Sequence, residues 1–154
     1  MALLRALVVV GLAVNAYVHL RLATEWDTIT EGIGGGTMFR IDGVVAGLTA
    51  LIVLVWGRRR MTYLLAFGVS AAALGAVLLY TYVDVGPLGP LPNLYEPVWF
   101  AEKLASAVAE AVAVAASAAG FWLLGRAPRA PRGRRSGSTA DAAPRDETAE
   151  PVDR

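Results

Sequence analysis

Four long apolar runs constrain this chain more than any other feature of its sequence. They cover residues 3–22, 39–56, 61–82 and 104–124. A helix needs about 20 mostly apolar residues to cross roughly 30 Å of hydrocarbon, and each run meets that requirement. In the buried core of an α/β protein, such runs would need polar amphipathic segments to cover them, and this chain of 154 residues lacks those segments. We therefore expect an all-α fold in which residues 1–125 form a four-helix transmembrane bundle.

The positions of the arginines predict how the bundle is oriented. Lys and Arg accumulate on the cytoplasmic flanks of membrane spans. The connection between the second and third spans and the segment after the fourth span lie on the same side, so we expect both termini to be cytoplasmic. Heavy use of Ala, Gly, Val, Arg and Pro is typical of a GC-rich bacterial genome, which predicts a multi-pass protein of the bacterial cytoplasmic membrane. The arginines concerned are Arg58, Arg59, Arg60, Arg126, Arg129, Arg132, Arg134 and Arg135.

The first run permits a second interpretation. Arg5, the apolar stretch behind it and "VNA" before Tyr17 are similar to a secretory signal with a weak cleavage site. The apolar stretch continues past that site to Leu22, which favours a retained span. Cleavage would leave three spans with the same orientation.

The last segment, residues 126–154, differs from the rest in composition. It is rich in Pro, Ser, Arg and acidic residues and has almost no large apolar side chain, so it cannot repay the entropy cost of folding. We expect a disordered cytoplasmic tail. Its basic first half either only fixes the topology or also binds anionic lipid headgroups, at roughly 1 kcal/mol per arginine near the surface.

Composition excludes several classes of function. The chain has 14 basic and 13 acidic residues and a net charge of +1, so it lacks the basic surplus with which proteins bind nucleic acid. With no cysteine, it has no disulfide, thiolate nucleophile or Cys-ligated metal. Its one histidine and scattered carboxylates match no metal-ligand spacing, so we expect no metal and no cofactor.

Small residues at three- and four-residue spacing indicate where the helices approach one another. Lipid supplies no hydrophobic drive between helices, so their association depends on such residues and on interhelical hydrogen bonds. We expect three faces of small residues to lie inside the bundle. They are Gly43, Ala46, Gly47 and Ala50 in the second run, Gly68, Ala72 and Gly75 in the third, and Ala109, Ala113, Ala116 and Gly120 in the fourth.

Polar residues in the fourth run and just before it share one face of the predicted helix. At about 100° per residue they fall in a sector about 60° wide. Glu110 is the deepest of them, about 12 Å along the helix axis from Glu102. A charge at that depth costs roughly 2.5–3.5 kcal/mol, so such a group normally faces the bundle interior and pairs with another. The sector contains Lys103, Ser106, Glu110 and Ser117.

The first run carries a second polar stripe, in which Gly11, Asn15 and His19 are spaced four residues apart. The simplest arrangement pairs Glu110 with Asn15 or His19, while the Lys103 ammonium extends toward the outer surface. An unpaired Glu110 would instead be protonated. We expect an intramembrane polar cluster in the outer half of the bundle, composed of Asn15, His19, Asp42, Glu102, Lys103, Ser106 and Glu110.

Three roles fit this cluster. Interhelical hydrogen bonds could fix the register of the helices, which would be a structural role only. An outward-open site for a proton, a metal ion or a small polar molecule is the second, built from His19, Asp42, Glu102 and Glu110. Catalysis is the least favoured, because the Ser, Thr and Lys side chains lack an evident base and orienting group at a recognisable spacing.

Two outer loops connect the spans. No strand precedes "GIGGG" in the first loop, so we expect a hinge with Thr37 as the N-cap of the second span and not a phosphate-binding loop. The second loop should be stiff because prolines favour extended backbone. Either its aromatic residues seat it among the headgroups, or it docks a partner or covers the polar cluster. Its prolines are Pro87, Pro90, Pro92 and Pro97.

Three segments of the chain carry a resemblance: "NAYVHLRLA", "TMFRIDGVVAGLTAL" and "LPNLYEPVWFAEKLASAVAEA". Together they resemble a group of small uncharacterised four-span bacterial integral membrane proteins over roughly the first 125 residues. The resemblance implies the four-span fold and a membrane location, and the group has no assigned activity to transfer. DoxX-like four-helix proteins are similar in size and span count, which is an analogy at the level of the fold.

Two functional predictions follow. The first is a non-enzymatic accessory or interaction subunit, whose partners are the lipid bilayer and another membrane protein. The second is a small transporter, or a ligand- or ion-binding membrane protein, that uses the polar cluster. The substitution Glu110→Gln separates them, because the first role tolerates the change if folding survives and the second loses its ion or ligand handling.

Overall fold

The structure, a computed structural model, describes residues 1–126. Within this part of the chain there are four long α-helices, one short 3-10 helix and no β-strand. Each long helix has the length and apolar character needed to span a membrane, which confirms the predicted all-α four-helix architecture. The tail predicted to be disordered, with Arg129, Arg132, Arg134 and Arg135, lies outside the described residues. In chain order the helices are α1 (Ala2–Leu22), α2 (Gly35–Trp56), α3 (Arg60–Tyr82) and α4 (Ala101–Arg126).

The helices extend beyond the apolar runs, most clearly at the start of α2. This helix begins at Gly35, four residues before its apolar run, and its N-cap is Gly34, with a φ of 77° that favours glycine. The predicted N-cap, Thr37, is therefore wrong, since Thr37 lies inside the helix. Asp42 consequently lies about 10 Å along the axis of α2 from the first residue of the helix, and not at the start of the helix.

The helices are packed in the spatial order α2, α1, α4, α3. α1 packs extensively against α2 and α4, and α4 packs extensively against α3. α2 and α3 contact each other much less, and a groove runs between them. Basic side chains gather at one end of the bundle, where Arg5 donates to the Leu54 carbonyl and the Arg60 guanidinium lies 3.9 Å from the centre of the Phe121 ring.

The core of the bundle combines small and β-branched side chains with one large aromatic residue, Tyr63. The small faces of α2 and α4 contribute to helix packing, as predicted, with Ala46 and Ala113 fully buried. Gly11 of α1 permits a close backbone approach to α4, since a Cβ there would lie 2.7 Å from the Ala109 carbonyl oxygen.

The small face of α3 is the exception. Gly68, Ala72 and Gly75 are exposed, and a Cβ on either glycine would meet no atom within 4 Å. The prediction that this face lies inside the bundle is therefore wrong. α3 has one extensive neighbour, α4, and its small face is turned away from that neighbour.

The two outer loops are joined to each other and to the bundle. The Ile33 N–H donates to the Pro90 carbonyl at 2.9 Å, and the Glu96 N–H donates to the Tyr80 carbonyl at 2.9 Å. The first loop contains the 3-10 helix, Glu25–Thr28, against which α2 begins. Close packing on that 3-10 helix accounts for the last two glycines of "GIGGG", because a Cβ on Gly35 would lie 2.8 Å from the Trp26 carbonyl oxygen and one on Gly36 would meet Asp27.

Candidate functional site

A hydrogen-bonded polar cluster lies between α1, α2 and α4. The Ser106 Oγ is 2.8 Å from Glu110 Oε1 and 3.0 Å from Asn15 Oδ1. The Asn15 Nδ2 donates to Asp42 Oδ2 at 3.1 Å. Glu110, Asn15 and Ser106 are each at most 2% exposed. Glu110 thus faces the bundle interior, as expected, but its direct partner is Ser106 and not Asn15 or His19.

His19 lies at the outer end of this cluster. Its Nδ1 is 3.1 Å from the Asn15 backbone oxygen and 3.4 Å from Asp42 Oδ2. Both neighbouring oxygens accept hydrogen bonds, so Nδ1 carries a proton. When the ring is neutral, Nε2 has no proton and can accept a hydrogen bond. The ring packs at a tilt on Phe39, with 5.1 Å between the ring centroids.

The hydrogen bonds of the cluster meet at the Ser106 hydroxyl. A serine hydroxyl has a single proton, yet Ser106 has two close oxygen neighbours. The Asn15 amide faces Asp42 with its Nδ2, so its Oδ1 can only accept from Ser106. Ser106 can therefore donate to Glu110 Oε1 or to Asn15 Oδ1, but not to both at once. The Ser106 hydroxyl thus links Glu110 to Asn15, and the Asn15 amide continues the hydrogen bonds to Asp42.

Two predicted members of the cluster lie apart from this chain of hydrogen bonds. The Lys103 Nζ donates to the backbone carbonyls of Glu96 and, at 3.4 Å, of Val98. It also lies 5.4 Å from the centre of the Trp99 ring, so Lys103 attaches the start of α4 to the second outer loop. Glu102 is partly exposed and, among the described residues, makes no hydrogen bond or ion pair.

A cavity of about 160 Å³ adjoins the cluster. Its polar wall is formed by His19, Asp42, Glu96, Lys103 and Ser106. The second outer loop contributes Leu94 and Glu96 to the lining, so this loop forms part of the cavity wall beside the cluster. Most of the remaining lining is apolar or aromatic, including Val18, Leu22, Trp26, Phe39, Tyr80 and Phe100.

Sequence reasoning did not identify the aromatic part of this lining. Phe39 and Tyr80 are aromatic residues near the ends of their apolar runs. Aromatic residues that only face the lipid headgroups occur at the same positions, so the sequence does not distinguish the two cases. Only the folding of both loops over the bundle brings these rings to the polar wall. The described residues contain no group of three or more His, Cys, Asp or Glu side chains that could hold a metal ion.

Four apolar helices, polar side chains turned inward and a loop-covered cavity define a multi-pass α-helical membrane protein. Scans against protein-family models, curated proteins and solved structures find no match to this chain.

Proposed function

We propose that this protein binds a small, largely apolar molecule with one hydroxyl group in the cavity beneath the outer loops. The observation that supports this proposal is an apolar and aromatic cavity with polar groups on one wall. Ligand sites in proteins share that character, because the apolar walls bind the body of the ligand and a few polar groups orient it. The cavity volume of about 160 Å³ is close to that of a cavity of about 150 Å³ known to bind benzene. One aromatic ring therefore fits.

The hydroxyl preference rests on the free acceptors of the polar wall. Asp42 uses its Oδ2 for Asn15 and His19, which leaves Oδ1 available to a ligand. With its proton on Nδ1, a neutral form of the His19 ring offers Nε2 as a second acceptor. Ser106 uses its one proton for Glu110 or Asn15, and Lys103 uses two of its three N–H groups for the Glu96 and Val98 carbonyls, so the wall offers acceptors and one remaining donor. A ligand hydroxyl, which donates one hydrogen bond and accepts another, matches this wall better than a group that only accepts.

The same proposal includes a route by which the ligand enters the cavity from the side of the bundle. Asp42 lines both the cavity and the groove between α2 and α3. Apart from Asp42, that groove is lined by apolar or small residues. An apolar molecule dissolved among acyl chains can follow such a surface to the polar wall.

The proposal corresponds to the second of the two functions predicted from the sequence. A site formed only to fix helix register needs no space beside it, and here the hydrogen-bonded side chains border a cavity. The accessory-subunit role, the absence of enzymatic activity and the bacterial cytoplasmic membrane stay predictions.

Binding of fluorophenol to the purified protein in detergent, followed by fluorine NMR, tests the proposal. We expect saturable line broadening beyond that produced by empty micelles. Ala76→Phe should abolish it, because Ala76 lines the cavity and a phenyl group would fill it. Asp42→Asn should weaken binding by about tenfold, since a hydrogen bond to a charged group is worth about 1.5–3 kcal/mol.

Ala111→Phe is the matched control, because it adds the same volume at an exposed position of α4 away from the cavity. It should bind fluorophenol as the unmodified protein does. A titration that does not saturate, or Ala76→Phe that binds normally, would refute the proposal.

A further inference from the structure

Four buried side-chain polar atoms have no hydrogen-bond partner within the described residues. They are Tyr63 OH, Ser70 Oγ, Glu110 Oε2 and Ser117 Oγ, and all lie on α3 or α4. Polar atoms buried in an apolar interior are costly unless they are paired, so an unpaired set calls for a physical explanation. These four residues are called the polar ladder below.

Two other buried hydroxyls in the bundle are satisfied by their own helix. Thr49 donates to the Val45 carbonyl at 2.7 Å, and Thr81 donates to the Val77 carbonyl at 2.6 Å. Ser70 and Ser117 are fully buried and do not make this bond. Their hydroxyls are thus available to a partner outside their own helix.

The members of the polar ladder alternate between two helices. Tyr63 and Ser70 are seven residues apart on α3, and Glu110 and Ser117 are seven apart on α4, so each pair shares one helix face. α3 and α4 run in opposite directions, and the Tyr63 ring lies against Gly120. From that level, at 1.5 Å per residue, Ser117 lies about 4.5 Å, Ser70 about 10.5 Å and Glu110 about 15 Å toward the outer end.

Along the bundle axis these levels are about 4.5–6 Å apart, close to the span of one water with a hydrogen bond on each side. Buried water in proteins takes such positions, where it satisfies two to four polar groups. The inner end of the polar ladder is Tyr63, in the first turn of α3. At its outer end, Glu110 is hydrogen-bonded to Ser106, which lines the cavity. The polar ladder and the cavity together extend from the outer loops to the first turn of α3.

We propose that this protein conducts protons from the outer cavity through Ser106 and Glu110, and along the hydrated polar ladder to the inner end of the bundle. Glu110 passes its proton to a bridging water on the Oε2 side and regains one through Ser106. Only O–H bonds form and break, and a membrane potential or pH gradient supplies the driving force. The other charged or titratable groups that line the cavity at the outer end are His19 on α1, Asp42 on α2, Tyr80 on α3, Glu96 in the second outer loop and Lys103 on α4. This activity does not depend on the ligand proposed above.

Proton flux into liposomes tests the proposal. The purified full chain is reconstituted with a pH-sensitive dye inside, and valinomycin with a potassium gradient sets the membrane potential. We expect a faster internal pH change than in protein-free liposomes. Glu110→Gln should lower the flux by about tenfold or more, because the path loses the carboxyl that exchanges the proton. Ser117→Ala should lower it several-fold, because a bridging water loses one of its polar partners.

Thr49→Val is the matched control, because it also removes a buried hydroxyl, but one that bonds to its own helix. Its flux should equal that of the unmodified protein. Flux no greater than in protein-free liposomes overturns the proposal, as does an equal loss in Thr49→Val and Ser117→Ala. If Glu110→Gln does not reconstitute, normal flux through Ser117→Ala overturns it. Fluorophenol binding measured on the same preparation shows separately whether the ligand site is intact.

Discussion

Gly120 is the residue at which added volume should be felt most strongly on α4. A Cβ there would lie 2.5 Å from two carbons of the Tyr63 ring, which is itself fully buried. We expect Gly120→Ala to destabilise the bundle by about 1–3 kcal/mol through overpacking. The free energy of unfolding in mixed detergent micelles, measured by tryptophan fluorescence, gives this quantity.

A glycine on the neighbouring helix α3 provides the control for that prediction. Gly75 has no atom within 4 Å of its built Cβ, so Gly75→Ala should be neutral or stabilise by up to about 1 kcal/mol through helix propensity. If the two substitutions changed stability equally, the close contact between α3 and α4 at Tyr63 would be contradicted.

The residues of the polar cluster show what spacing and depth can predict. Glu110, Asn15 and His19 were identified because a polar group deep in an apolar helix must find a partner. The choice of partner depended on fractions of a helical turn. Ser106 lies four residues before Glu110 and reaches both Glu110 and Asn15, a geometry that the spacing permits but does not select.

Among the elements, the four helices were predictable because length and hydropathy alone define a span. Their ends were not, since α2 begins at glycines whose apolar character is weak. The packing of α3 was also missed. A stripe of small residues indicates that a close approach is possible, but the neighbours of the helix decide whether that face is used. The outer loops form part of the cavity wall, and no periodic pattern in the sequence predicts the path of these loops.

The 3-10 helix in the first outer loop should respond to acid. Asp27 and Arg40 form a two-pronged ion pair of 2.7 and 2.6 Å that joins this element to α2. The hydrogen bond from Arg40 holds the pKa of Asp27 below its usual 3.8. Because the folded pKa is lowered, the stabilisation is present above 3.8 and is lost as the pH falls through the folded value.

Amide hydrogen exchange over Glu25–Thr28 measures that response. After correction for the intrinsic exchange rate, protection should be constant down to pH 3.8 and should decrease below it. Asp27→Asn should show weaker protection without this acid step. An acid step of the same size in Asp27→Asn would assign the response to another group.

The whole molecule is asymmetric along the bundle axis. The inner end carries Arg5 and Arg60 on helix ends, and the outer end carries the cavity, the ion pair of Asp27 and two linked loops. The polar side chains run between these ends inside the bundle and not along its lipid-facing surface. Any vectorial function of this protein, including proton transfer, therefore depends on which end faces the cytoplasm.

Cysteine labelling determines that orientation, because the chain contains no native cysteine and so has no background. Arg59→Cys lies in the connection between α2 and α3, and Glu31→Cys lies in the first outer loop. With both termini cytoplasmic, a membrane-impermeant maleimide applied to intact bacterial cells should label Glu31→Cys and should label Arg59→Cys only after permeabilisation. The arginines at the inner end support this expectation, since Lys and Arg accumulate on cytoplasmic flanks. Labelling of Arg59→Cys in intact cells would reverse the orientation and with it the direction assigned to the polar ladder.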